Sequence, residues 1–386
     1  MEEKAIIYTN KKDFFEDKGF FIFNKPIFKF IYNAPFLQIN NKIIKTKRPL
    51  KFLENLIRKY KLYAVGFISY DYKVLTLGIK SLKNYELPIP QVYFLLFRNY
   101  ETANTIEIPD FKNDIKSIKY PEKSHFINIV NKALKYIENG DIYQINLSDR
   151  LELEGIFNKK RIFYNLTLIQ PTEFMFFFKS RDFFVISASM ELFLKKEKDI
   201  IETKPIKGTR PRGKNKEEDK VFYAQLKNSL KEKAENLMIT DLMRNDLGRI
   251  AEAGSVKVKE LFKVERYETL YQMHSTVVSN IDENISFESI INNTFPPGSV
   301  TGAPKKRAVE IIDELERYRR YVYCGAHFFI KPNLDFISSV AIRQSIFIKD
   351  KCYIYVGAGI VADSIAEKEY EEIILKSKAN LKALNF

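Results

Sequence analysis

Two pairs of glutamates have a spacing that suits metal binding. Glu232 and Glu235 are three residues apart, as are Glu369 and Glu372, and each pair falls within a predicted helix. Residues with this spacing lie on one helix face. Two such helices facing each other would present carboxylate oxygens to a hard cation such as Mg²⁺, which takes one or two carboxylates together with water and substrate oxygens. The spacing therefore indicates a candidate Mg²⁺ site.

Ordinary helix capping accounts for some of the same glutamates. Ser229 with Glu232 and Ser364 with Glu367 both have the spacing of a capping box, in which a hydroxyl and a carboxylate satisfy free N–H groups at a helix start. Glu372 could also pair with the lysine four residues later. Capping does not explain Glu235, Glu369 and Glu372. The spacing alone therefore does not decide between helix capping and a metal site.

A basic segment at residues 205–213 could hold an anion. It contains two glycines and two prolines, which restrict the backbone, and the cationic residues Lys207, Arg210 and Arg212. Lysine and arginine are the side chains that bind carboxylates and phosphates through charge-assisted hydrogen bonds. The composition predicts a loop, which could equally be an ordinary basic surface turn.

Two further segments could offer backbone N–H groups to a ligand. Residues 294–305 lead into a helix predicted from Lys305 through Leu315, and the N-terminus of a helix favours anions. Residues 357–364 are predicted to pass from a strand end through two glycines into a final helix that Ser364 caps. Helix entry and a plain turn are the alternative interpretations.

The elements that precede these segments are readable from their periodicity. Ser124 is predicted to cap a helix whose apolar face runs from Phe126 to Ile137, and Gly140 is predicted to end it. Residues 143–153 then alternate between apolar and polar, as a strand does. The polar face begins with Gln144 and contains no lysine in a lysine-rich chain, which favours a lined cleft over open solvent.

The N-terminal part of the chain carries strand patterns but no polar cluster with evident chemistry. Residues 63–70 and 91–97 are rich in aromatic and β-branched side chains, which predicts strands. Periodicity is lost at residues 104–120, which predicts a loop and a soft boundary. We therefore predict an N-terminal part at residues 1–110 and a catalytic region at residues 120–386, in an α+β or mixed α/β fold.

Composition narrows the classes of protein. The 386 residues are 45% hydrophobic and contain two cysteines, Cys324 and Cys352, in no CxxC spacing, so neither a disulfide framework nor a zinc site is expected. The formal net charge is +14, but the lysines are scattered, which favours a solvated surface that attracts small anions over a nucleic-acid site. No run is apolar enough for a membrane span, and the acidic start argues against a secretory signal, so a cytoplasmic protein is expected.

The four segments and their order resemble the chorismate-utilising enzymes. This family includes anthranilate synthase component I, aminodeoxychorismate synthase component I, isochorismate synthase and salicylate synthase. The resemblance extends from about Phe126 to the C-terminus. The motifs that carry it are GDIYQINL at residues 140–147, AENLMITDLMRNDL at 234–247, SVTGAPK at 299–305 and GAGIVADS at 357–364. It implies two layers of mostly antiparallel sheet with helices outside, residues 1–110 contributing to the sandwich, and an active site between the layers.

The resemblance also implies roles for individual residues. Glu235 and Glu372 match Mg²⁺ ligands of the family, and Glu232 and Glu369 match carboxylates that complete the metal shell. Glu191 matches a general acid and base. His274 matches a histidine near the substrate ring. The residues that match substrate-binding positions are Gln144, Thr301, Tyr323, Arg343, Gly357, Gly359 and Lys376.

Two positions distinguish among the reactions of the family. Members that add water to chorismate are similar to one another in having a lysine where this chain has Gln144, and glutamine cannot act as their base. Anthranilate synthases usually have alanine where this chain has Lys207, and aminodeoxychorismate synthases resemble this chain in having lysine there. The resemblance thus favours covalent catalysis by Lys207 and a 4-amino product, with anthranilate formation as the alternative.

The resemblance is incomplete at two places and implies a partner. Met190 stands where the family generally has proline, and Phe328 with Phe329 replaces a usual Gly-Tyr, so the turn before Glu191 and one part of the pocket could differ. Neither cysteine lies in the Gly-x-Cys-x-Gly elbow of a glutaminase. A separate glutamine amidotransferase subunit is therefore expected to supply ammonia.

Overall fold

Alternating apolar segments form strands along most of the chain. The computed structural model describes residues 2–267 and 270–385. The strands of this part are, in chain order, β1 (Lys4–Thr9), β2 (Gly19–Phe23), β3 (Phe28–Asn33), β4 (Phe36–Ile39), β5 (Lys42–Lys45), β6 (Tyr63–Ile68), β7 (Val92–Phe97), β8 (Glu101–Ala103), β9 (Asp114–Lys119), β10 (Gln144–Ile156), β11 (Phe174–Lys179), β12 (Phe184–Ser189), β13 (Leu192–Glu197), β14 (Ile200–Lys204), β15 (Ile206–Pro211), β16 (Lys257–Arg266), β17 (Leu270–Asn280), β18 (Gly302–Ala303), β19 (Ala326–Ile330), β20 (Phe336–Val340), β21 (Gln344–Ile348) and β22 (Lys351–Ile360).

Amphipathic segments between the strands form helices. In the described residues they are α1 (Pro49–Tyr60), α2 (Lys73–Thr76), α3 (Lys123–Glu138), α4 (Lys159–Ile169), α5 (Lys216–Asn228), α6 (Leu230–Gly248), α7 (Phe287–Thr294), α8 (Lys305–Leu315) and α9 (Ala366–Leu384). Short 3₁₀ turns lie at Tyr70–Tyr72 and Gly298–Val300. Across the same residues, no helix combines the length and apolar character needed to cross a membrane.

The strands form two antiparallel sheets. The first has the order β18-β10-β22-β21-β12-β11-β1-β2-β8, with β9 also on β10. The second has the order β15-β17-β14-β13-β20-β19-β6-β7-β3-β4-β5, with β16 also on β17. Helices α3, α4, α8 and α9 pack on the first sheet, and α5 and α6 pack on the second. The predicted class, two mostly antiparallel layers with helices, is confirmed.

Aromatic side chains fill the space between the sheets. Phe67 of the second sheet meets Phe178 of the first edge to face, with ring centroids 5.5 Å apart. His327 of the second sheet stacks on Phe176 of the first at 4.3 Å. Offset and edge-to-face aromatic pairs of this kind stabilise a core beyond the area they bury. The core therefore joins the two layers directly.

Aromatic packing surrounds both residues of the Phe328–Phe329 departure. Phe329 stacks between Phe15 at 5.0 Å and Tyr63 at 5.9 Å, and Phe328 meets Phe287 at 5.5 Å. Both side chains are at most 2% exposed. Phe329 therefore packs between the sheets, and Phe328 packs on the other face of β19 against α7.

Several elements lie where periodicity predicts them, whereas the predicted Ser124 cap and the predicted loop at 104–120 are wrong. Helix α8 has the predicted bounds, α3 ends just before Gly140, whose φ of 78° suits a helix end, and the strand predicted at 143–153 is β10. Ser124 does not cap α3, because it lies inside the first turn, where its hydroxyl donates to Glu122. The predicted loop at 104–120 contains β9, because the free edge of β10 supplies hydrogen-bond partners that outweigh weak local periodicity.

Strands from the N-terminal part are integrated into both layers. β1 lies between β2 and β11 in the first sheet, and β6 pairs with β19 in the second. The predicted division near residue 110 stays a prediction. Cys324 and Cys352 are free and buried, as expected, and burial raises the pKa of both thiols.

Candidate active site

A β-bulge positions Lys207. The predicted loop at residues 205–213 is wrong, because residues 206–211 form β15, paired with β17. Between Ile206 and Thr209 the register shifts by one residue, and Gly208 has a φ of 86°. A Cβ on Gly208 would also lie 2.9 Å from Glu232 Oε2. Bulges re-aim side chains, and here glycine is required both by the backbone conformation and by the close carboxylate.

The Lys207 ammonium lies among groups from three other elements. Its Nζ is 3.8 Å from Glu235 Oε2 on α6. A Cβ on Gly359 of β22 would lie 3.0 Å from Nζ and 3.5 Å from Gln144 Nε2 on β10. The missing side chain at Gly359 therefore leaves the space in which Lys207 and Gln144 approach each other.

The first glutamate pair combines capping with a place in the cleft. Ser229 caps α6 by accepting the Glu232 N–H at 3.3 Å, which confirms half of the predicted capping box. The Glu232 carboxylate does not return to Ser229, because it accepts from Arg210 at 3.2 Å. Both glutamates of the pair thus direct their carboxylates toward cations of β15.

The second pair is arranged differently from the prediction. Ser364 does not form a capping box with Glu367. Its hydroxyl donates to Glu369 Oε1 at 2.7 Å and accepts the Val361 N–H, and α9 begins one residue later than such a box requires. Glu372 pairs with Lys376 at 2.5 Å, the i,i+4 contact that spacing predicts.

The carboxylates influence one another across the cleft. Burial, with the neighbouring Glu232 and Glu372 carboxylates, raises the pKa of Glu235. Burial and Glu372 likewise raise the pKa of Glu369. Burial opposes ionisation of Glu372 too, but the Lys376 ammonium holds its pKa below the ordinary value. Glu372 of α9 is thus close enough to Glu235 of α6 to raise its pKa, as expected for carboxylates that face each other from the two helices.

The carboxylates of α6 and α9 are suitable ligands for a hard cation, and in this structure lysine and arginine side chains neutralise their charge. Lys207, Arg210 and Lys376 each pair with one of the carboxylates. In the described residues, no three acidic, histidine or cysteine side chains converge as a ready-made metal cage. Clustered, partly buried carboxylates are the oxygen ligands that Mg²⁺ uses, so the residues fit the ion, and its binding there stays a prediction.

Glu191 is a buried carboxyl at the same cleft. It lies between β12 and β13, follows Met190, and is 6% exposed. Burial raises its pKa to about 7, against the opposing effects of the Ser299 hydroxyl, the Lys207 ammonium and the Ile206 N–H. A group with this pKa can hold or release a proton near neutral pH. The effect of Ser299 on Glu191 was not predicted, although Ser299 lies in the 299–305 motif.

Two amides line the cleft with unused hydrogen-bonding atoms. Gln144 is 1% exposed, and its Oε1 has no partner among the described residues. Asn146, on the same face of β10, has an unpartnered Nδ2 in the same part of the chain. Burying such atoms without a partner costs about 1–3 kcal/mol each, so a ligand that pairs with them recovers that free energy. The predicted polar face of this strand is therefore buried and not open to solvent, and its role as the lining of a cleft stays a prediction.

A second group of residues surrounds Gly357. Lys376 Nζ donates to the Gly357 carbonyl at 2.9 Å, and Arg343 donates to the Lys376 carbonyl at 2.8 Å. A Cβ on Gly357 would lie 2.8 Å from Tyr323 Oη. Burial lowers the pKa of Arg343. Two cations and a phenol thus surround a strand position at which only glycine fits.

Two residues that the resemblance assigns to the active site make contacts elsewhere in the structure. The Thr301 hydroxyl donates to the Pro297 and Gly298 carbonyls, so it faces its own turn. His274 lies across the ladder from Ile206, but its buried ring places Nε2 3.0 Å from Glu265 Oε2, and burial lowers its pKa. The predicted place of His274 near a substrate ring depends on the resemblance alone.

Known proteins share this architecture. The profile of a family described as chorismate binding enzyme matches residues 101–382. Anthranilate synthase component 1 of Aquifex aeolicus (strain VF5) is 40% identical over 276 residues, which are 72% of this chain and 55% of that protein. Aminodeoxychorismate synthase component 1 of Bacillus subtilis (strain 168) is 33% identical over an alignment 359 positions long, which covers 83% of this chain and 76% of that protein.

A solved structure extends the similarity to nearly the whole chain. Anthranilate synthase component I from Streptococcus pneumoniae TIGR4 superposes with a TM-score of 0.84 at 28% identity, covering 98% of this chain and 92% of that one. The match to the Aquifex relative spans only 55% of its length. The family match covers most of the chain and includes the cleft between α6, α9 and β15, so this chain belongs to the chorismate binding enzyme family.

Proposed function

We propose that this chain aminates chorismate at ring carbon 4 to give 4-amino-4-deoxychorismate, with ammonia supplied by a glutamine amidotransferase subunit. The observation that carries the proposal is the position of Lys207. Its ammonium lies in the carboxylate-lined cleft, near Gly359 and Gln144, and is in electrostatic contact with Glu191. A lysine and a protonated carboxyl in one buried site are the pair that a covalent substitution needs.

The proposed reaction has two substitution steps. The Lys207 ammonium first gives one proton to solvent, and the resulting neutral amine bonds to ring carbon 2 while the ring electrons shift and the bond to the 4-hydroxyl breaks. Glu191 gives its proton to that hydroxyl, which leaves as water. Ammonia then bonds to carbon 4, the lysine leaves carbon 2 as a neutral amine, and Glu191 takes a proton from the new ammonium group. The sum is chorismate plus ammonia giving the 4-amino product and water.

Glu191 suits the acid role because of its burial. With a pKa of about 7, a large part of the population is protonated at neutral pH, whereas an exposed glutamate would be almost fully ionised. The Ser299 hydroxyl and the Ile206 N–H lie near the carboxyl, next to the bulge that carries Lys207, and both lower its pKa against the effect of burial. The same two groups stabilise the carboxylate that forms when the proton leaves.

The opposite side of the cleft is suited to binding the substrate. Arg343 and Lys376 offer positive charge, Gly357 and Gly359 allow backbone approach, and chorismate has two carboxylates. Gln144 has no basic group, so it cannot activate water for attack on the ring. Bound Mg²⁺ held by the α6 and α9 carboxylates would neutralise a substrate carboxylate.

Formation of anthranilate is the second candidate. Anthranilate synthase component 1 sequences match at 40% and 41% identity, and the solved structure of 0.84 TM-score carries the same name. That reaction would place the amino group at carbon 2 and release pyruvate, which requires no amine from Lys207.

Product analysis separates the two candidates. The purified chain is incubated with chorismate, Mg²⁺ and a high concentration of ammonium, and the products are resolved by chromatography. We expect 4-amino-4-deoxychorismate from the unmodified chain, a steep loss in Lys207→Ala, and no change in Lys214→Ala, which removes an exposed lysine of the same region. Anthranilate and pyruvate would support the second candidate, and no consumption of chorismate would contradict both.

A further inference from the structure

A fully buried ion pair closes a gap at the edge of the strand that lines the cleft. On the edge of β10 opposite β22, β18 pairs only with Gln144 and Ile145, and β9 pairs from Glu152 onward. Between them, the backbone groups of Asn146 and Ser148 face no strand. Unpaired buried N–H and C=O groups are costly, so this gap must be filled in another way.

Arg320 and Glu316 supply the missing hydrogen bonds. Arg320 Nη2 donates to the Asn146 carbonyl at 2.5 Å, and Glu316 Oε1 accepts the Ser148 N–H at 2.7 Å. The guanidinium donates to both Glu316 oxygens, with Nε 2.9 Å from Oε2. The two side chains therefore present one donor and one acceptor to β10, as a neighbouring strand would.

The same guanidinium also holds the loop that faces β10. Arg320 Nη1 donates to the Val300 carbonyl at 2.8 Å, and the next residue, Thr301, accepts the Asn146 N–H at 2.8 Å. Arg320 is 2% exposed, and its guanidinium stacks over the Tyr70 ring at 4.7 Å. One rigid side chain thus fixes the spacing between the strand of Gln144 and Asn146 and the turn that carries Ser299.

We propose that Arg320, held by Glu316, is a positioning residue for this cleft: it sets the distance between β10 and the Gly298–Val300 turn and so the placement of Gln144 and Ser299. A planar fork with five donors can bind two carbonyls and a carboxylate at once, whereas the single ammonium of a lysine cannot reach all three. A buried ion pair of this kind adds little stability compared with apolar packing, so its value lies in the geometry that it enforces.

The consequence for catalysis rests on the proposed function. If Gln144 and Ser299 contact the substrate and the proton donor, loosening their backbones weakens chorismate binding and the first substitution step together. We expect Arg320→Lys to raise the KM for chorismate at least tenfold and to lower kcat.

The test compares Arg320→Lys with Arg319→Lys. Arg319 is the adjacent arginine, is also mostly buried and ion-paired, but contacts Asp71 and the Lys83 carbonyl. Amide hydrogen exchange of the peptide at residues 144–150 is followed by mass spectrometry, alongside Tm and steady-state kinetics. In Arg320→Lys we expect at least tenfold faster exchange in this peptide, and in Arg319→Lys exchange and KM like those of the unmodified chain.

Equal exchange and equal KM in Arg320→Lys and the unmodified chain would overturn the proposal, as would identical changes in both variants. If Arg320→Lys does not fold, Glu316→Gln keeps an acceptor for Ser148 but removes the charge, and it should change exchange in the same peptide in the same direction. The exchange measurement does not depend on turnover. It therefore still tests the positioning role of Arg320 if the proposed function is wrong.

Discussion

The buried carboxyl of Glu191 should make the stability of the protein depend on pH in a defined way. Burial raises its pKa from the ordinary 4.5 to about 7 in the folded chain. Between these values the folded state binds more protons than the unfolded state, so the free energy of unfolding falls as pH rises through this window. Above about pH 7 the folded protein carries the whole cost of an ionised, buried carboxylate.

Replacing Glu191 with glutamine removes that cost while keeping the size and shape of the side chain. Each pKa unit corresponds to about 1.4 kcal/mol, so the raised pKa implies a cost of about 3 kcal/mol at pH 8 and about 1 kcal/mol at pH 5. The gain in the free energy of unfolding that Glu191→Gln produces over the unmodified chain should therefore depend on pH. It should be about 2 kcal/mol larger at pH 8 than at pH 5. It should also lose turnover, because an amide has no proton to give to the departing hydroxyl.

The assay is urea unfolding followed by far-ultraviolet circular dichroism at both pH values, since the chain contains no tryptophan. Glu283→Gln changes an exposed glutamate and should show no such difference between the two pH values. A stability difference for Glu191→Gln that is the same at pH 5 and pH 8, or a loss of stability at pH 8, would refute the assignment of a buried carboxyl with a raised pKa.

The remaining predictions concern the groups around the same cleft. Ser299→Ala removes a hydroxyl that favours the ionised form of Glu191, so the basic limb of the pH–rate profile should move to higher pH, and an unchanged limb would contradict this effect of Ser299. Gly359→Ala places a methyl group 3.0 Å from Lys207 Nζ, and kcat/KM should fall at least tenfold with an unaltered circular dichroism spectrum. Lys207→Met removes the cation paired with Glu235, so Mn²⁺, measured by electron paramagnetic resonance, should bind several-fold more tightly, whereas weaker binding would show that the two cations do not compete. Glu235→Gln should abolish Mg²⁺-dependent binding of chorismate in titration calorimetry, and unchanged Mg²⁺ dependence would refute its role as a ligand.

The regular elements could be predicted because their periodicity is local. Helix α8 and strand β10 repeat apolar residues at helical and strand spacing, and the structure has both. The segment at residues 205–213 was predicted as a loop because its glycines and prolines are typical of turns. It is a strand because β17 offers an unpaired edge, and the glycine serves a bulge within that pairing.

The candidate site was predictable where its residues lie in long motifs, and not where its geometry depends on distant contacts. Lys207 and Glu235 belong to segments that the resemblance aligns directly. Arg320 carries no such signal, because its partner Asn146 is 174 residues away in the chain. The two predicted capping boxes also show that local spacing does not determine the hydrogen-bond partner. Ser229 caps its helix as predicted, whereas the Ser364 hydroxyl donates to Glu369, five residues later.

The covalent role of Lys207 is tested most directly by intact-protein mass spectrometry during incubation with chorismate and Mg²⁺ in the absence of ammonia. The account predicts a chorismate-derived adduct, formed with loss of water, that maps to Lys207, disappears when ammonium is added, and is absent from Lys207→Ala. Formation of the 4-amino product by Lys207→Ala at the rate of the unmodified chain, with no adduct in either protein, would contradict it.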